Sequence, residues 1–78
     1  MRQFSISIHS FEEVQSFVSL AMTQPFAVLV GNDRSRVNGK NFMGMLTLDY
    51  NKEVQVRVDC DETSFLRFRA DVDKLLHK

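Results

Sequence analysis

The chain has no tryptophan, one cysteine, one proline, three glycines and no net charge over its 78 residues. A lone Cys60 excludes a disulfide framework and any multi-cysteine metal site, and it suits a reducing, cytoplasmic setting. Ten Lys and Arg balance ten Asp and Glu. That balance argues against the electrostatic route to nucleic acid or an anionic membrane, which requires a basic face whose phosphate contacts release counterions. No apolar run approaches the length that crosses a bilayer. The opening residues, MRQFSISIHS, lack the apolar block and small-residue cleavage site of an export signal. Without linker, repeat or low-complexity sequence, the length points to one domain over residues 1–78. A domain of this size with no covalent staple keeps a stability margin of only ~4 to 12 kcal/mol.

What the chain does have is pattern. Phe4, Ile6 and Ile8 alternate with Gln3, Ser5 and Ser7, the period of a strand with one apolar face. Ser10-Phe11-Glu12-Glu13 fits a capping box, so a helix starts there, with Phe11, Val14, Phe17, Val18 and Ala21 as its apolar stripe. Gln24 and Pro25 end it. Residues 26–30 read as a strand and Gly31-Asn32-Asp33 as the turn after it. Ser35-Arg36-Val37 reads as a charged edge strand. After the turn Asn38-Gly39-Lys40, Asn41 caps a short helix over NFMGMLTL, which Gly44 weakens. Glu53 to Asp59 is a strand that puts Val54, Val56 and Val58 on one face. Asp61 or Thr63 caps a last helix with Phe65, Phe68, Val72, Leu75 and Leu76 as its stripe, and Lys74, His77 and Lys78 sit at its negative end. The order is βαββαβα. An antiparallel sheet with one apolar face and helices whose stripes need that face give an α+β, two-layer open-faced sandwich.

This element order, and above all VNGKNFMGML at residues 37–46, resembles the histidine-containing phosphocarrier family (HPr) of the bacterial sugar phosphotransferase system. The family shows a similar V-N-x-K-S-I-M-G-V-M run at its short helix. The resemblance spans the chain and implies a four-stranded antiparallel sheet packed against three helices.

The family's chemistry rests on G-[IL]-H-x-R-P-A at the start of the first helix, where the imidazole accepts a phosphoryl group from a phosphoenolpyruvate-charged enzyme. A helix start offers free N–H donors, and the arginine neutralises the phosphate. This chain has SIHSFEEVQSFV. With Phe17-Val18 matched to the family's aromatic-aliphatic pair, Ser10 falls on the active histidine, Glu12 on its arginine and Glu13 on its proline. Slipping the register would make His9 the candidate acceptor. Two unit charges ~5 Å apart repel by ~0.8 kcal/mol in water and ~3 at an effective dielectric of 20. Set against the ~0.3 to 1 kcal/mol that a helix end supplies, the glutamates outweigh that gain for a phosphorylated His9. The resemblance also places a regulatory serine at the cap of the short helix. Here that position is Asn41, which caps equally well and has no hydroxyl to phosphorylate.

The remaining candidates divide between chemistry and structure. His9 reads as a phosphoryl acceptor or as a solvated linker residue; Ser10 reads as a cap. Cys60 sits beside Asp59, Asp61 and Glu62, which raise a thiol pKa and disfavour a nucleophile. His9, Cys60 and His77 have no metal-ligand spacing. Arg34, Arg36 and Lys40 surround the hairpin, either as a solubility device or as a surface for an acidic partner. Phe42, Met43, Met45, Leu46 and Leu48 point all round a two-turn helix, so some apolar surface stays exposed. The family meets its partners there, which makes Phe42, Met43 and Leu46 the expected patch.

The reading is an HPr-like interaction or regulatory module without phosphoryl transfer. It is not an enzyme, and it needs no cofactor or metal. Its partners are phosphotransferase-system proteins or a transcriptional regulator, or a second copy of itself, and not nucleic acid or membrane. An active phosphocarrier on His9 and an unrelated binding module on the same fold are the alternatives.

Overall fold

The computed structural model describes residues 2–32 and 34–76. Its elements are β1 (Arg2–Ile6), α1 (Phe11–Met22), β2 (Val28–Gly31), β3 (Arg36–Asn38), α2 (Phe42–Met45), β4 (Val54–Val58) and α3 (Glu62–Leu76). The four strands form one antiparallel sheet in the order β1-β4-β2-β3. Register explains the core. Phe4 lies opposite Val56 and Ile6 opposite Val54, while Val28 and Val30 pair with Val58 and Val56, so all seven side chains share one face. The helices close that face with Val14, Phe17, Val18 and Ala21 of α1, Met45 of α2, and Phe68 and Val72 of α3. Phe68 is the centre of an edge-on aromatic cluster, with ring centroids 5.6 Å from Phe26, 6.1 Å from Phe4 and 6.2 Å from Phe17.

The other sheet face is polar. Gln55 donates to the Ser5 hydroxyl at 2.8 Å and Arg57 Nε to Gln3 Oε1 at 3.0 Å, both across the β1-β4 pair. The open-faced α+β sandwich expected from the sequence is the observed architecture.

Several local expectations need correction. β1 stops at Ile6, although Ile8 beyond it is buried. β2 begins at Val28, and Phe26 packs on Phe68 from outside the sheet. β3 is shifted one residue, to Arg36–Asn38, because it pairs with Leu29–Gly31. α2 has one turn, not two: beyond Met45, the Thr47 and Leu48 N–H groups bond to Gly44 and Met45 carbonyls in tight three-residue turns. The outward-facing end of the first stripe also differs. Phe11, the first residue of α1, is 55% exposed, and its ring meets Phe42 of α2 edge-on at 5.4 Å. Periodicity identifies the buried face of the helix and not how much of that stripe is covered at its first turn. The expectations for Asp33 in the turn and for His77 and Lys78 at the end of α3 lie outside the described residues.

Candidate functional site

The site to consider first is the start of α1. Ser10 has extended backbone (φ −153°, ψ 160°) and its hydroxyl accepts the Glu13 N–H at 3.2 Å. The Glu13 carboxylate reaches back and accepts the His9 N–H at 2.7 Å. The capping box is present, one residue wider than the usual form, in which the carboxylate returns to the cap's own N–H. Glu12 is exposed beside it. The positive end of the helix thus already holds one carboxylate by a charge-assisted hydrogen bond and has a second next to it.

His9 is exposed and lines a groove of about 520 Å³ between the β1-α1 connection and the loop leading to β4. Buried Ile8, Val14 and Leu48 contribute its apolar lining, with Phe11 and Leu46 among the exposed lining residues. Its polar lining is His9, Ser10, Asp49, Tyr50 and Asn51. Tyr50 is fixed, as its hydroxyl donates to the Met45 carbonyl, and burial raises its pKa. A second, smaller cavity on the other side of the helix start is lined by Ser10, Glu12, Glu13, Ser16, Leu75 and Leu76. Among the described residues, no Lys or Arg lines either cavity.

Asn41 caps α2 by accepting the Gly44 N–H on its side chain at 3.2 Å. The three-residue spacing beyond the cap then sorts the apolar run. Met45 and Leu48 turn inward and Phe42 is half-buried, whereas Met43 and Leu46 are 70% and 40% exposed. The expected patch is therefore carried by Met43 and Leu46, with Phe42 as its half-buried edge. Phe11 was missed as a member, since its helical spacing reads as core. The groove residues Asp49, Tyr50 and Asn51 were also missed; a turn after an apolar run gives no local signal of a shared cavity.

Cys60 is half-buried, and burial first, then Asp61 and Asp59, pushes its thiol up, with Arg2 opposing them. This agrees with the direction expected from its neighbours and adds burial as the larger cause. Lys40 is not free beside Arg34 and Arg36. Its Nζ donates at 2.8 Å to the Gln24 carbonyl, a cation at the negative end of α1, which has no basic residue in its own last turn. No group of three or more His, Cys, Asp or Glu side chains among the described residues is placed to hold a metal ion. Nor is any helix among them long and apolar enough to cross a membrane.

No model of a protein family matches the chain, and no curated protein matches it in sequence. In structure it is similar to HPr-C-His from Thermoanaerobacter tengcongensis, with a TM-score of 0.75, 20% sequence identity, and coverage of 100% of this chain and 98% of that one. The chain has the HPr-like fold. At that identity the likeness speaks to the fold, and the reading of the site rests on its own geometry.

Proposed function

We propose that the chain is an HPr-like, cytoplasmic bacterial module, a single domain over residues 1–78, that carries no phosphoryl group and works by binding proteins of the sugar phosphotransferase system or a regulator they control. The observation that carries this reading is the Glu13 carboxylate on the His9 N–H. A phosphoryl group brought to that helix start would find its cap already occupied by the Glu13 carboxylate. It would meet no Lys or Arg among the described residues that line the adjoining cavities. Ser10, at the position matching the family's active histidine, acts as a cap, and Asn41, at the position of its regulatory serine, does the same for α2. What remains for function is the surface of Phe42, Met43 and Leu46, with Phe11 beside it.

A second reading, phosphoryl acceptance on His9, is favoured by one observation: that side chain is exposed at the mouth of the larger groove. Incubation with phosphoenolpyruvate and the matching phosphotransferase enzyme, followed by intact mass, separates the two. The first reading expects an unchanged mass. A stoichiometric adduct that disappears in His9→Ala establishes the second.

A further inference from the structure

The single turn of α2 carries two thioethers with opposite surroundings. Met43 is the most exposed large apolar side chain among the described residues, whereas Met45, two positions on, is fully buried with its sulfur 4.0 Å from the Tyr50 hydroxyl. A mild oxidant alters methionine sulfur and leaves the hydrocarbon side chains of Phe11, Phe42 and Leu46 as they are. An oxygen added to Met43 therefore turns a flexible apolar side chain into a polar one at an accessible position. The same oxygen on Met45 would lie in a core that buries no polar side chain among the described residues, where an unpaired polar atom opposes folding. The fold shields one sulfur and offers the other. Resting on the reading of Phe42, Met43 and Leu46 as the docking surface, we infer that Met43 is a reversible modification site, at which hydrogen peroxide converts the thioether to the sulfoxide and so turns that surface polar. One peroxide oxygen bonds to the sulfur as the O–O bond breaks, the sulfur loses two electrons, and the other oxygen leaves as water. A dithiol-dependent sulfoxide reductase reverses the step, giving water and a disulfide. An apolar face docked on oxidised Met43 would desolvate the sulfoxide oxygen without pairing it, so oxidation opposes docking.

Dilute hydrogen peroxide is added to the folded full chain, in a background of Met22→Leu and Cys60→Ser that removes an exposed thioether and the free thiol, and the added oxygen is located by peptide mass. Met43 is expected to oxidise at least about tenfold faster than Met45, which reacts only when the fold opens. Denaturant is expected to bring the two rates together. On a hydrophobic-interaction column, protein oxidised at Met43 is expected to elute earlier than untreated protein. That shift is expected to be absent from Met43→Leu treated alike, and to be undone by a methionine sulfoxide reductase with dithiothreitol. Met43→Gln, polar without peroxide, is expected to elute early from the start. Amide spectra are expected to stay dispersed, with changes confined to α2 and to the start of α1, where Phe11 meets Phe42. Similar rates for the two sulfurs in the folded chain, or a retention time that oxidation at Met43 leaves unchanged, would overturn the inference. So would a collapse of the amide spectrum on oxidation at Met43, which would make the change a loss of fold. Failure of the untreated chain to bind phosphotransferase-system proteins would refute the preceding proposal and leave these rates and retention times unaffected, so the two fail separately.

Discussion

Asp61 shows how one side chain sets the start of α3. Its carboxylate accepts the Ser64 N–H at 2.8 Å, and hydrogen bonding from the Ser64 side chain and backbone holds its carboxyl below the ordinary range. A folded pKa below the unfolded one stabilises the protein fully above the unfolded value, and the contribution fades as pH falls through the folded value. Asn fills the same cap without the charge. Denaturation of Asp61→Asn alongside the natural chain should therefore show a stability gap at about pH 6 that closes towards about pH 2; a gap independent of pH contradicts the assignment. The sequence left Asp61 and Thr63 as alternative caps, and only the direction of the Ser64 N–H decides between them. Ser10 and Asn41 were legible because a cap and its target lie three residues apart. Lys40 was not, because its acceptor lies 16 residues away on another element.

At the scale of the element, α2 tests how a run of apolar residues is sorted. A Cβ on Gly44 would meet Val37 and Asn41 side-chain carbons at 3.5 and 3.6 Å, ordinary contact distances. Gly44→Ala is thus expected to stabilise the chain, by up to about 1 kcal/mol, since it removes the glycine's helix penalty. Gly31 is the opposite case. A Cβ there would stand 2.0 Å from the Ser35 carbonyl oxygen, where β2 turns into the hairpin. Gly31→Ala should lose about 1 to 3 kcal/mol through forced backbone movement. Thermal melts of the two variants check both signs, and a destabilised Gly44→Ala would mean that the one-turn helix has no room for the added carbon. Composition showed that part of FMGMLTL had to stay exposed. Which part depends on helix length, and the tight turns after Met45 that fix it have no sequence signature of their own.

For the molecule as a whole, Phe68 joins the layers: it lies on α3 and meets rings from β1, α1 and the segment before β2. Phe68→Ala is expected to cost about 3 to 5 kcal/mol, a large share of the roughly 4 to 12 available, so its denaturation midpoint should fall steeply. A loss under about 1 kcal/mol would show that the cluster closes over the gap. The alternating valines of β4 and the stripe of α3 made the two layers legible. The strand order β1-β4-β2-β3 was not, because pairing between distant segments leaves no local period; the resemblance to HPr gave the number of strands and not their order. The candidate site divides in the same way. Glu12 and Glu13 at the helix start are visible in the sequence, but the carboxylate folded onto the His9 N–H and the groove beside it exist only in three dimensions. The central claim, an HPr-like fold without its phosphoryl chemistry, meets its most direct test in one reaction. Charged by phosphoenolpyruvate through the cognate phosphotransferase enzyme, with a competent phosphocarrier as positive control, the chain should show the mass of the unmodified protein. One phosphoryl group per chain, lost in His9→Ala, would contradict it.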